Sequence, residues 1–229
     1  MHKTNITLET INTATKRRGG RRYAFENITP EKTALVVIDM QNYFMKPGMA
    51  AEVPVARDIV PNINKLGAAL RNAGGQVIWV ITTFDDDTYD EWSVLHHLFS
   101  KDRRKAMMEN LVKGKEGHKL WSEFDVIPSD LHIEKNRYSA FIHGSSNLDA
   151  HLREAGIDTV LITGTLTDVC CECSARDAMM MNYKTIMVTD ANAASTDEDH
   201  NNSLNTLGRL FVDLYSTDEL LTRLDHQDG

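Results

Sequence analysis

Short apolar runs rich in β-branched residues alternate along this chain with segments whose apolar positions recur every three or four residues. The first kind reads as buried strands and the second as amphipathic helices. Strands are predicted at 34–39, 76–82, 131–135, 159–163, 185–189 and 211–214. Helices are predicted at 55–72, with Pro61 in the first turns and Ala73-Gly-Gly75 as the stop, and at 148–155, stopped by Gly156. Three more follow at 168–182, 200–209 and 217–224. This alternation predicts an α/β fold, a doubly wound, six-stranded, mainly parallel sheet with helices on both faces. The rhythm breaks between Asp85 and Phe124, where helices are predicted at 91–99 and 101–112. Residues 1–30 show no clear period and are set apart as an arm that packs on the domain or on a neighbouring subunit. Residues 31–229 form a single domain.

Composition narrows the class. With 229 residues, 41% hydrophobic and 25% charged, the chain can bury the core of one such domain. The net charge of -8 argues against nucleic acid or an anionic membrane as a partner. No apolar run approaches the ~18 residues of a membrane-spanning helix, and no secretory apolar region opens the chain. The cysteines, Cys170, Cys171 and Cys173, stand within four positions and offer no disulfide framework. That usage predicts a reducing, cytoplasmic setting. The basic cluster from Lys16 to Arg22 reads as a solvated tail, since its glycines open no helix.

In a parallel sheet, functional groups gather at the carboxyl ends of the strands. Asp39 ends the first predicted strand, Lys135 ends the third, and Cys170 lies just beyond the fourth. Gly164 breaks that fourth strand, and Thr167 or Asp168 is placed to cap the helix carrying Cys170. A thiol in the first turn of a helix faces unpaired N–H groups and the positive end of the macrodipole, which predicts a thiolate. Asp39 suits a general base that later acts as general acid, Lys135 a charge that steadies both neighbours, and Cys170 a nucleophile. Cys171 and Cys173 read as small, half-buried helix residues: adjacent helix positions point ~100° apart, and no second cluster completes a tetrahedral site. No metal and no cofactor are expected. Gln41, Phe44 and Tyr138 stand close to triad members in sequence and are candidate substrate contacts. The segment from Phe84 to Trp92 is expected to form a lid that sets specificity, with Trp92 touching substrate. His200 is read as a helix cap or pocket residue.

Five stretches, in order, carry a resemblance: Ala34-Leu-Val-Val-Ile-Asp-Met-Gln-Asn42, Lys135-Asn-Arg-Tyr-Ser-Ala-Phe141, Gly164-Thr-Leu-Thr-Asp-Val-Cys170, Arg176-Asp-Ala178 and Val188-Thr-Asp-Ala191. The chain resembles the isochorismatase-like cysteine hydrolases, the superfamily of nicotinamidase, N-carbamoylsarcosine amidase, ureidoacrylate and biuret hydrolases, and isochorismatase. The resemblance implies an Asp39–Lys135–Cys170 triad, a non-proline cis peptide between Thr165 and Leu166, and an oxyanion hole from the N–H groups of Leu166 and Cys170. It implies a homo-oligomer, dimer or tetramer. The expected activity is a cysteine-dependent amidohydrolase that cleaves a C–N bond of a small carboxamide or ureide through a thioester, with the ureidoacrylate and biuret group the nearer likeness. The alternative is an isochorismatase-type vinyl-ether hydrolase, whose chemistry needs no thiol. Nicotinamidases carry a metal-binding Asp/His set after the second strand, and here Thr83-Phe-Asp-Asp-Asp-Thr88 has no histidine.

Overall fold

A computed structural model of the chain describes residues 1–225, apart from the side chains at positions 86, 89 and 225. The strands are β1 (Thr33–Ile38), β2 (Gln76–Thr82), β3 (Leu131–Lys135), β4 (Thr159–Thr165), β5 (Lys184–Ala193) and β6 (Asp213–Tyr215). All pair in parallel, in the order β3-β2-β1-β4-β5-β6. The chain runs outward from β1 through β2 to β3, then restarts at β4 on the other side of β1. The crevice above β1 and β4 is therefore the switch point where such sheets bind ligands.

The helices are α1 (Leu8–Arg17), α2 (Asn42–Met45), α3 (Val60–Asn72), α4 (Asp86–Glu91), α5 (Leu95–Leu98), α6 (Lys101–Asn110), α7 (Leu148–Glu154), α8 (Glu172–Met180), α9 (Asp197–Leu210) and α10 (Thr217–Asp225). β1 is buried along its whole length and alternates between two cores, as a strand with period two must. Leu35 and Val37 pack with Ile63, Leu66 and Leu70 of α3 and Leu220 of α10. Val36 and Ile38 pack with Leu148 and Leu152 of α7, Ala175 of α8, and Leu204 and Leu207 of α9. The doubly wound sheet is thus covered on both faces.

Several boundaries differ from expectation. The segment before α3 is a 3-10 turn, Pro54–Ile59, because Pro61 lacks the N–H that a continuous α-helix would donate to the Arg57 carbonyl. β5 runs on to Ala193, past a shift in its register with β4 between Ile162 and Gly164. The Asn192 side chain bridges that irregularity by donating to the carbonyls of Ile162 (2.9 Å) and Val188 (2.7 Å). The predicted helix at 91–99 is replaced by α4 and α5: Asp85 accepts the Thr88 N–H at 2.8 Å and starts the first of them earlier. The acidic run thus begins a helix.

The arm at 1–30 is ordered and packs on its own domain. Its helix α1 buries only Thr10 and Ala14, and lies along α9 beside Gly208. The basic cluster is not wholly solvated either: Arg18 reaches buried Asp213 at 2.8 Å, and Asp213 also accepts the Ala24 and Phe25 N–H groups. Tyr23 stacks on Tyr215 with ring centroids 4.1 Å apart. The arm so covers the edge at β6, where an open strand would otherwise be exposed. The domain end expected at 229 lies outside the described residues.

Candidate active site

β1, β2, β3 and the turn after β4 deliver their side chains to one point. Asp39 follows β1 directly and takes φ 54°, a left-handed conformation that a non-glycine residue adopts at a cost. Across from it, Gly164 has φ +114°, and a Cβ there would fall 2.1 Å from the Ile38 carbonyl oxygen. No other residue fits that approach, so Gly164 lets β4 close on β1 just below Asp39. Beyond Gly164 the peptide between Thr165 and Leu166 is cis, and the chain enters a π-helical turn, Thr167–Cys171, before α8. Cys170 stands in that turn. π-Turns of this kind recur at functional sites.

Lys135 Nζ is fully buried and lies 2.8 Å from Asp39 Oδ2 and 3.6 Å from Cys170 Sγ. It also donates to Thr82 Oγ1 (2.7 Å) and to the Arg137 carbonyl (3.0 Å). Thr82 in turn donates its hydroxyl to Asp39 Oδ1 at 2.8 Å. Asp39 Oδ2 pairs with Lys135, and the Asp39 carboxylate also interacts with the Cys170 thiol. Sequence reasoning brought Asp39, Lys135 and Cys170 together but missed Thr82. The signal was present: Thr82 ends β2, the strand between those carrying Asp39 and Lys135, and pairs in register with Lys135.

The electrostatics revise one expectation. Burial pushes the Cys170 thiol well above its ordinary range; the Lys135 ammonium opposes this and the Asp39 carboxylate adds to it. Burial therefore works against the thiolate expected from the helix-start position, because a thiolate is poorly solvated away from water. Burial alone would lower Lys135, but Asp39 and Cys170 hold its ammonium charged and its pKa is raised. Around Cys170, burial and Asp39 thus oppose the thiolate and Lys135 favours it.

Above this floor is a cavity of about 260 Å³. Cys170, Leu166, Thr165 and Thr82 line its base, and Tyr43, Phe44, Phe84, Trp92, Phe99, Met107 and Tyr138 its walls, with Arg103 and Arg137 among them. Trp92 meets Tyr138 edge-on at 4.9 Å, and the Arg137 guanidinium lies 5.2 Å over the Trp92 ring. Phe44, Tyr138 and Trp92, the expected substrate contacts, line this cavity. Gln41 does not. Its amide donates to the carbonyls of Thr82 (3.0 Å) and His118 (2.9 Å) and accepts the Thr82 N–H (2.8 Å), so its hydrogen-bonding capacity fixes backbone. The expected substrate contact at Gln41 is corrected to a brace between β2 and the loop before Leu120.

Cys171 is fully buried and Cys173 partly, both pushed up by burial. His97 is exposed and His96 half-buried. No group of three His, Cys, Asp or Glu side chains suited to a metal occurs among the described residues. No described helix is long and apolar enough to cross a membrane.

Residues 33–219 match the family model described as the isochorismatase domain, and the chain belongs to the isochorismatase family. It is a hydrolase with the fold of that family. A relative from Arabidopsis thaliana named "probable inactive nicotinamidase" is 34% identical over 170 residues, 73% of this chain and 84% of the relative. The ureidoacrylate amidohydrolase RutB of Agrobacterium fabrum is 32% identical over 177 residues, 72% of this chain and 77% of RutB. Among solved structures, a cysteine hydrolase from Pseudomonas syringae pv. phaseolicola 1448A superposes with a TM-score of 0.78 at 30% identity, covering 86% of this chain and 94% of the other.

Proposed function

We propose that this protein is a cysteine amidohydrolase that cleaves a C–N bond of a small carboxamide or ureide through a thioester on Cys170. The observation that carries the reading is the buried Asp39–Lys135–Cys170 contact, with Lys135 Nζ 2.8 Å from the carboxylate and 3.6 Å from the sulfur. Asp39 takes the thiol proton as Sγ attacks the substrate carbonyl, and Lys135 holds the thiolate by its charge. The N–H groups of Leu166 and Cys170 receive the oxyanion. Collapse breaks the C–N bond, and Asp39 returns the proton to the leaving amine. Water then gives a proton to Asp39 as it attacks the thioester; the C–S bond breaks, the acid leaves, and Asp39 passes the proton to the departing Cys170 sulfur to restore the thiol.

The aromatic walls favour a substrate whose amide or ureide hangs on an apolar, planar body, with Phe44, Trp92 and Tyr138 against it. RutB is named for a ureidoacrylate, and its likeness supports the ureide side of the reading. A vinyl-ether hydrolase would need only the carboxyl group as proton donor, which leaves the thiol and its cation unused. By family likeness the protein works in the cytoplasm as a dimer or tetramer without metal or cofactor, and light scattering tests the assembly.

The deciding experiment is ammonia or amine release across a panel of carboxamides and ureides, with hydroxylamine added during turnover. Hydroxamate formation, lost in Cys170→Ala, is the expected result. Pyruvate from isochorismate that persists in Cys170→Ala would overturn the reading in favour of vinyl-ether hydrolysis.

A further inference from the structure

The first seven residues lie outside the span that matches the family, yet they are held to one place on the domain with unusual detail. Asn201 and Asn205, one turn apart on α9, each give both halves of their amide to this strap. Asn201 accepts the Asn5 N–H (2.6 Å) and donates to the Lys3 carbonyl (3.0 Å); Asn205 accepts the Thr7 N–H (2.9 Å) and donates to the Asn5 carbonyl (2.9 Å). Beyond them His2, its side chain only 4% exposed, accepts the Ala194 N–H on Nε2 (2.9 Å) and faces Asp197 through Nδ1 (2.7 Å). With Nε2 an acceptor, the ring proton sits on Nδ1 and is donated to that carboxylate.

His2 lies face to face with His200, centroids 4.5 Å apart and planes within 20°. His200 is fully buried on α9. Its Nε2 meets the Thr189 carbonyl of β5 at 3.1 Å, so its Nδ1 is an acceptor and takes the Thr167 hydroxyl at 2.9 Å. Ser203, one turn further along α9, donates to the Thr167 carbonyl at 3.3 Å. Thr167 opens the π-turn that ends in Cys170 and Cys171. The path from strap to nucleophile is therefore His2 ring, His200 ring, Thr167, Cys170.

We propose that the strap is part of the active-site scaffold, with His2 and His200 as positioning residues that hold the π-turn, and so Cys170, against Asp39 and Lys135. A strap serving general stability alone would bury mainly apolar side chains, because that burial is what offsets the backbone entropy lost in ordering it. This one packs Ile6 on the core but is otherwise held by polar, orientation-specific contacts, most of them to α9, whose His200 and Ser203 bond Thr167. The geometric demand is real: catalytic groups misplaced by about 1 Å lose up to ~10²-fold in rate.

The proposal rests on Cys170 as nucleophile, and its test separates the two. In the full-length protein, His2→Ala removes the stack, and His2→Phe keeps a ring without the hydrogen bonds. With the most rapidly hydrolysed amide or ureide of the panel, His2→Ala is expected to lower kcat about tenfold with KM within about twofold. His2→Phe should restore most of that loss. Hydrogen exchange at 165–171 should quicken in His2→Ala and recover in His2→Phe, while β1 and β2 stay protected. Buried His200 is tested by His200→Asn, which keeps an acceptor for Thr167, against His200→Leu, which does not. The Asn variant should be the more active. A kcat in His2→Ala within twofold of the parent, or equal loss in His2→Phe, overturns the proposal. If the parent hydrolyses nothing in the panel, the proposed function fails, and the exchange data still decide whether the strap grips the turn.

Discussion

The floor and the lid of the cavity are built on opposite physical plans. On the floor, Asp39, Thr82, Lys135 and Cys170 are buried polar groups at the ends of β1 to β4, tied by hydrogen bonds and an ion pair of 2.7–3.6 Å. Every strand under them is locked by a parallel ladder. The lid expected at Phe84–Trp92 is the first part of a longer one, Phe84 to Leu111, made of three short helices, and α6 buries none of its residues. Its grip on the domain is an apolar cluster of Phe84, Leu95 and Leu111 with Tyr43. Directional bonds on a rigid frame fix atoms to tenths of an ångström, whereas apolar contacts tolerate re-packing. Reaction chemistry belongs to the first kind of construction and substrate choice to the second.

The most severe way to break this contrast is to alter the floor. Cys170→Ala is expected to abolish turnover without loss of fold, while Cys171→Ser and Cys173→Ser keep most activity. Asp39→Asn should lower kcat by at least ~10²-fold with affinity within a few-fold, the scale of a lost general base. Steady-state kinetics on each variant decides the matter. Turnover surviving in Cys170→Ala but lost in Cys171→Ser would move the nucleophile by one residue.

Thiol reactivity sharpens the same point with no substrate at all. Because burial raises the Cys170 pKa, iodoacetamide should react slowly at neutral pH. The rate should still be climbing above the ordinary thiol value of about 8.5. Lys135→Ala removes the opposing cation and should slow the reaction about tenfold further. A rate in that variant equal to the parent's would remove the electrostatic role given to Lys135.

Behind the floor, His200 predicts a dependence on acid that the lid should not share. Burial first, then neighbouring His2, lowers its pKa to about 4, while the Thr189 carbonyl and Asp197 oppose the shift. Thr167 and Thr4 are the other side chains facing the ring. The folded ring stays neutral where an unfolded histidine, with a pKa near 6.5, takes up a proton. This contribution is therefore fully present above about pH 6.5 and lost as pH falls toward about 4, up to about 3 kcal/mol in all. Urea midpoints across that window should fall less steeply in His200→Asn than in the parent. Parallel slopes would show that His200 is protonated without cost.

The contrast also explains what could be read from sequence. Strand ends were legible because β1, β2 and β4 are continuous buried apolar runs, and the residue that closes each run is where a side chain must emerge. Asp39 follows from that rule and Thr82 would have followed from it; Lys135 ends the half-buried β3, and Cys170 was placed by Gly164 and the helix start beyond β4. Gln41 was misread because proximity in sequence to Asp39 says nothing about direction: three residues past the end of β1, the chain turns its amide toward Thr82 and His118. Helix α1 was missed because it docks through Thr10 and Ala14 rather than through an apolar stripe. The π-turn before α8 has no residue signature, since it depends on how β4 leaves the sheet. The lid was legible only as an interruption, because short helices held by scattered aromatic contacts carry little periodicity.

Altering the lid should therefore give the mildest response, and of a different kind. Trp92 is held edge-on to Tyr138 and under Arg137, and Phe99 lines the same cavity from the loop before α6. Truncating either removes apolar wall without touching a floor hydrogen bond. Trp92→Ala and Phe99→Ala should each raise KM about tenfold, near the 1–3 kcal/mol of apolar contact that a pocket side chain supplies. The kcat should stay within about threefold, since Cys170, Asp39 and Lys135 keep their frame. Substrates with larger apolar bodies should be penalised more than small ureides, because only they reach the lost wall. If either variant instead lowers kcat with KM unchanged, the lid takes part in aligning the scissile carbonyl, and the division of labour between floor and lid does not hold.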